Sequence, residues 1–120
     1  MLISRANKKG IIIVASQMEY EKLSNGIIKF CRSNKQTMAV TAKKGSVVPE
    51  FVFQQTFGLL RVQVEPKKDV LISGSEEYLC FFAGIISILC TPIAISPFTL
   101  DPKRKWKFLA PNSVPLTINF

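Results

Sequence analysis

One long run without charge is the strongest constraint on how this chain folds. From Tyr78 to Phe98 the sequence reads YLCFFAGIISILCTPIAISPF and holds no Lys, Arg, Asp or Glu. At about 1.5 Å of rise per residue, a helix of this length spans roughly 30 Å, which is the thickness of the apolar interior of a bilayer. The run has no polar face, although a surface helix of a globular domain usually has one. The sequence therefore predicts a single transmembrane helix over residues 74–98.

The residues that flank the run agree with this prediction. Ser73 and Glu76 have the spacing of a capping box, so a helix can begin near Gly74. Tyr78 and Trp106 stand where interfacial aromatic side chains belong. Four basic residues that suit anionic lipid headgroups follow the run: Lys103, Arg104, Lys105 and Lys107. Residues 99–120 are then expected to be a short basic tail that contains proline.

A buried segment in the core of a globular domain is the alternative interpretation of the same run. Pro92 and Pro97 each lack a backbone hydrogen-bond donor, and each would kink or end a helix. A shorter helix that stops at Pro92, or a pair of strands, would then fill the core of a single domain.

Small residues recur along the run at helical spacing. They are Cys80, Gly84, Ser87 and Thr91. Small side chains at this spacing let a second helix approach closely, and Ser and Thr can hydrogen-bond across the contact. The sequence predicts that this face packs in a groove of a larger membrane subunit, and that Gly84→Leu would loosen the assembly.

Residues 1–73 are predicted to form a small basic α+β region that is mostly β. Ser16 and Glu19 have capping-box spacing and predict a short helix through Leu23, after which Asn25 and Gly26 would end the helix or form a tight turn. Runs of β-branched and alternating apolar residues predict six strands: Gly10–Ala15, Ile27–Cys31, Gln36–Ala42, Val47–Gln54, Phe57–Glu65 and Val70–Ser73. The fourth and fifth are expected to pair as a hairpin, and the sixth to lie at an edge. No internal repeat is visible in the sequence.

The composition offers little for catalysis. The chain has no histidine, which removes Ser–His and Cys–His pairs and most zinc sites. Its three cysteines, Cys31, Cys80 and Cys90, have no C-x-x-C spacing. No phosphate-binding glycine loop and no nucleophile elbow occurs. The sequence predicts a protein that is not an enzyme and has no catalytic residue, metal site or cofactor.

The net charge of +8, from 16 basic and 8 acidic residues, points to an anionic partner. With a membrane helix, the function expected is that of a non-catalytic accessory subunit of a larger membrane complex. The setting, by analogy, is a respiratory or photosynthetic complex of the mitochondrial inner membrane or the thylakoid. Paired lysines in predicted loops would meet lipid headgroups or an acidic soluble protein: Lys43, Lys44, Lys67 and Lys68.

The alternative function is that of a basic module of the nucleic-acid-binding or ribosomal type, with residues 78–98 as its buried core. Four phenylalanines interleave with the lysines: Phe30, Phe51, Phe53 and Phe57. A basic surface with exposed aromatic side chains is typical of proteins that bind single strands. Phenylalanine at alternating positions is more often part of a core, however, and loop lysines are commonly only solvated.

Overall fold

Two four-stranded sheets and two helices make up the structure, a computed structural model that describes residues 1–65, 69–89 and 97–119. The strands are β1 (Leu2–Asn7), β2 (Gly10–Val14), β3 (Thr37–Thr41), β4 (Glu50–Gln55), β5 (Arg61–Glu65), β6 (Asp69–Gly74), β7 (Phe98–Leu100) and β8 (Leu116–Asn119). The helices are α1 (Gln17–Cys31), α2 (Glu76–Leu89) and a short 3₁₀ turn (Pro102–Arg104).

The order of the strands shows a structural repeat that is not visible in the sequence. One sheet has the order β1-β2-β8-β7 and the other β5-β6-β4-β3, and in both the central pair is parallel and the outer pairs are antiparallel. The chain is thus two ββαββ units. Each unit gives its first hairpin to one sheet and its second hairpin to the other, so the two units are intertwined.

Equivalent hydrogen bonds support this pseudo-twofold relation. The N–H of Ile3 in β1 donates to Ser46 Oγ at 3.0 Å, and the N–H of Val62 in β5 donates to Ser113 Oγ at 3.2 Å. The carbonyl of Ile3 accepts from the N–H of Val47 at 3.0 Å, and that of Val62 accepts from Val114 at 2.8 Å. The outer edges of β1 and β5 are therefore covered by equivalent loops of the two units.

The two helices cross at the centre of the fold. Ser24 Oγ of α1 donates to the carbonyl of Ala83 of α2 at 2.8 Å, and both residues are buried. Further along α1, the thiol of Cys31 contacts that of Cys80, which precedes Ala83, so the helices run antiparallel. A hydrogen bond also links α1 to β8, since Tyr20 Oη donates to the carbonyl of Asn119 at 2.6 Å.

One hydrophobic core joins the helices and both sheets. It includes the buried side chains of Ile11, Ile13, Leu116 and Ile118 from one sheet and Phe51, Phe53, Val70 and Ile72 from the other. Residues 99–120, predicted to be a tail, contribute most of β7 and all of β8, and these strands complete the first sheet.

The predicted fold class, with a single transmembrane helix between a basic region and a tail, is wrong. Across the three described ranges, no helix has both the length and the apolar content needed to cross a bilayer. The helix that forms, α2, is 14 residues long, and Gly74 belongs to β6. Four side chains of α2 are buried in the core: Leu79, Phe82, Ala83 and Ile86. This finding also overturns the predicted single-pass character and the predicted location in an organellar membrane.

The predicted helix start at Ser16 is confirmed, but the predicted helix end is wrong. Ser16 Oγ accepts from the N–H of Glu19, and a Glu19 carboxylate oxygen accepts from the N–H of Ser16, which completes the capping box. The helix then continues through Asn25 and Gly26 to Cys31, where a strand was expected. Burial of Ile27, Phe30 and Cys31 on one face outweighs the roughly 1 kcal/mol cost of a helical glycine.

Two predicted strand placements are also wrong. β4 and β5 do not form a hairpin, because β6 lies between them, parallel to β4 and antiparallel to β5. The predicted edge strand is therefore a central strand of its sheet. Its Val70, Ile72 and Ser73 are buried, which fits that position.

Acid is expected to destabilise the fold through Glu19. Contacts with the amino group of Met1, and then with Ser16, lower the pKa of this carboxyl from 4.5 to about 2. Since the folded pKa is depressed, the stabilisation is complete above pH 4.5 and is lost as the pH falls towards 2. The Tm of the wild-type protein should therefore fall more steeply between pH 5 and 2.5 than that of Glu19→Gln. Parallel curves for the two proteins would contradict this assignment.

Candidate functional site

Basic residues from two distant parts of the chain meet at one end of the first sheet. The β1–β2 turn carries Lys8 and Lys9, and the β7–β8 connection carries Lys103. Together they line a groove of about 500 Å³, the basic groove, whose lining is Lys8, Lys9, Asp101, Pro102, Lys103, Pro111, Ser113 and Pro115. The sequence placed Lys8–Lys9 and Lys103 in separate segments, and the pairing of β2 with β8 brings them together.

Local hydrogen bonds shape the wall of the groove. Asp101 Oδ1 accepts from the N–H of Lys103 at 2.9 Å and begins the 3₁₀ turn. The turn ends at Lys105, whose φ of 54° is in the left-handed region that non-glycine residues seldom adopt. The N–H of Lys105 donates to the carbonyl of Pro102 at 3.2 Å, which holds this conformation. In the β1–β2 turn, Asn7 Oδ1 accepts from the N–H of Lys9 at 2.9 Å.

The cations of the basic groove are available to an external anion. Lys8, Lys9 and Lys103 are exposed, as is Arg104 beside the groove, and none of the four is in an ion pair with a carboxylate of the described ranges. Asp101 is the acidic member of the lining, and one of its oxygens is engaged by the turn. The groove therefore carries net positive charge.

A second groove lies beside α2, and three of its six lining residues are aromatic. This aromatic groove has a volume of about 550 Å³ and is lined by Glu77, Tyr78, Cys80, Phe81, Lys107 and Phe108. The rings of Phe81 and Phe108 are 4.7 Å apart between centroids, and those of Phe108 and Trp106 are 5.7 Å apart. Half of the Phe81 surface is exposed to solvent.

A third groove, of about 520 Å³, lies between the end of α1 and the start of α2, and its lining is polar. Arg32, Lys35 and Glu76 line it, together with Cys31. Burial, and then the hydrogen bond with Cys80, raise the pKa of the Cys31 thiol to about 12. Because the thiolate is the nucleophilic form, Cys31 is not an activated nucleophile at neutral pH.

The described residues contain no arrangement suited to binding a metal ion. Within residues 1–65, 69–89 and 97–119, no group of three or more cysteine or acidic side chains is placed to hold a metal ion.

The predicted helix-packing residues have different surroundings. Cys80 contacts Cys31 of α1, while Ser87 is exposed and Thr91 lies outside the described residues. Gly84 is half-buried, and a Cβ there would have nothing within 4 Å. The small buried residue at the helix crossing is instead Ala83.

The predicted contact residues are spread over several surfaces. Lys43 and Lys44 are exposed in the β3–β4 connection, and Lys67 and Lys68 lie outside the described residues. Lys107 lines the aromatic groove, and Tyr78 and Trp106, predicted as interfacial aromatics, pack partly against the core.

The sequence pattern did not predict the aromatic groove, because it pointed to other phenylalanines. Phe30, Phe51 and Phe53 are buried in the core, whereas Phe57 is fully exposed. Phe81 gave no signal, because its neighbours in the uncharged run are equally apolar.

Together the fold and the grooves define a basic α+β protein of two intertwined ββαββ units. No protein-family model matches the chain, and neither a curated protein nor a solved structure matches it.

Proposed function

We propose that this protein is a nucleic-acid-binding module that holds phosphates of the backbone in the basic groove. The observation that carries the proposal is the convergence of Lys8, Lys9 and Lys103 on one groove, from two segments remote in sequence. Cations without internal ion pairs bind phosphates by releasing the counterions condensed on the nucleic acid.

The distribution of charge supports a long anionic ligand over a small one. Exposed Arg104 and Lys105 directly follow Lys103 in the chain, so exposed cations are not confined to the groove lining. A repeating phosphate backbone can occupy several such positions at once, whereas one small anion cannot. The net charge of +8 adds a long-range attraction that favours association with a polyanion.

The accessory-subunit hypothesis has lost its main support. It needed a spanning helix, and α2 packs inside the core instead. The basic residues that it assigned to lipid headgroups, Lys103 and Arg104, remain available to nucleic-acid phosphates.

Charge reversal in the basic groove tests the proposal. We expect the triple variant Lys8→Glu/Lys9→Glu/Lys103→Glu to bind a labelled mixed-sequence oligonucleotide at least about 100-fold more weakly in fluorescence anisotropy at 100 mM salt. The slope of log K against log salt should become shallower by about 3, one unit for each lost phosphate contact.

A control variant with the same change in net charge separates the effect of the groove residues from the effect of net charge alone. Lys22, Lys29 and Lys35 are exposed on or just after α1 and do not line the basic groove. Their triple reversal to glutamate should cost far less affinity than reversal in the groove. Equal losses for the two variants would show only a response to net charge, and no binding by the wild-type protein would refute the proposal outright.

A further inference from the structure

A second exposed aromatic residue lies in a loop close to the aromatic groove. Phe57 lies in the β4–β5 loop and is fully exposed. Backbone hydrogen bonds hold this loop in place, since the N–H of Ser75 donates to the carbonyl of Gly58 at 3.0 Å and the N–H of Leu60 donates to that of Phe108 at 2.9 Å. The loop therefore lies beside both α2 and Phe108, next to the groove that Phe81 lines.

The aromatic groove and the basic groove are connected by one short segment. Residues 101–108 begin with Asp101, Pro102 and Lys103 in the basic groove and end with Lys107 and Phe108 in the aromatic groove. The exposed Arg104 and Lys105 lie between the two ends. A ligand that follows this segment passes from cations to aromatic rings.

We propose that the aromatic groove binds unstacked bases, so that the nucleic acid recognised is single-stranded. This inference rests on the proposed function and adds the kind of nucleic acid. Exposed aromatic rings beside cations are the arrangement with which proteins hold single strands, because bases stack on the rings while phosphates meet the cations. In a duplex the bases are already stacked on each other, and their faces are not accessible.

The charges that line the aromatic groove favour binding of a nucleobase there over binding of a phosphate. Glu77 and Lys107 both line it, so the groove itself has little net charge. A carboxylate repels phosphate but not the face of a base. The phosphates are then expected at the basic end of the segment, and a base at Phe81.

A comparison of three labelled ligands of equal length tests the inference. They are a twelve-nucleotide oligo-dT, a duplex of mixed sequence, and an oligonucleotide of abasic sites that has phosphates but no bases. The wild-type protein should bind oligo-dT roughly 10-fold more tightly than either of the others, as expected for stacking of one base. The fluorescence of Trp106 reports on the same event, because it packs on Phe108 and should be quenched by oligo-dT alone.

A matched pair of variants on α2 locates the stacking surface. Phe81→Ala should lose roughly 10-fold in affinity for oligo-dT and leave duplex binding unchanged. Ile88→Ala is the control, because Ile88 is exposed on the same helix, 67% against 50% for Phe81, but does not line the groove.

The outcomes separate this inference from the proposed function. Equal affinity of the wild-type protein for oligo-dT and for the abasic strand, with Phe81→Ala unchanged, would overturn base stacking and leave phosphate binding intact. If Phe81→Ala weakens binding to all three ligands equally, the groove does not discriminate bases, and the inference also fails. Failure of all three ligands to bind would refute the proposed function itself.

Discussion

Replacing Phe82 by alanine is expected to lower the free energy of unfolding by about 3–5 kcal/mol, the usual cost of truncating a buried phenylalanine. Phe82 is 1% exposed, and its ring lies 6.5 Å from that of Phe53 in the central part of the second sheet. The cavity would open between α2 and β4, where neighbouring side chains belong to different elements and cannot all move inwards. Urea unfolding followed by circular dichroism measures this loss.

The adjacent Phe81 provides the matched control. It has the same side chain on the same helix but is half exposed, so Phe81→Ala should cost about 1 kcal/mol or less. Phe82→Leu keeps most of the volume, and a cost of about 1.5 kcal/mol is expected if the alanine variant proves too unstable to measure. Equal losses of unfolding free energy for Phe81→Ala and Phe82→Ala would contradict the orientation of α2. A helix surrounded by lipid or by partner subunits need not bury Phe82 more than Phe81.

Substitutions at Ala83 and Gly84 are expected to change stability in opposite directions. Ala83 is fully buried where its carbonyl accepts from Ser24 Oγ, so Ala83→Leu forces the two helices apart and should cost about 1–3 kcal/mol or more. Gly84→Ala should instead stabilise by about 0.4–1 kcal/mol. A Cβ at Gly84 has open space, and alanine favours the helix more than glycine does.

Thermal and urea unfolding of the two single variants test this prediction. A destabilised Gly84→Ala would indicate that residue 84, and not residue 83, is at the close contact between α1 and α2. If Ala83→Leu were neutral, α1 and α2 could not cross as closely as the hydrogen bond between Ser24 and Ala83 requires.

The sequence correctly predicted the elements that depend on interactions between residues close together in the chain. The capping box of Ser16 and Glu19 sets a helix start through hydrogen bonds between residues three apart. The β-branched run that forms β2 and the alternation in β5 were visible for the same reason. The pair Lys43–Lys44 was also predicted to lie in a loop, and it does.

Whether the uncharged run crosses a membrane or packs in a core depends on tertiary contacts, which composition does not reveal. Leu79, Phe82, Ala83 and Ile86 form a buried stripe at helical spacing, but the exposed Phe81 and Ile88 are equally apolar, so no contrast marks the stripe. A run with two apolar faces fits a bilayer and a crowded core equally well. What distinguishes them here is that α1 and β4 cover one face of α2, which is a property of the assembled fold.

The sequence by itself determined the net charge of +8, the absence of histidine chemistry, several local strands and the start of α1. Only the tertiary structure decided that β6 lies between β4 and β5, that the two units are intertwined, and that the basic groove exists at all. Strand order and grooves depend on which distant segments pair, and pairing is governed by burial of the whole core instead of by neighbours in the chain. For this reason Lys8, Lys9 and Lys103 could not be recognised as one site before β2 and β8 were seen side by side.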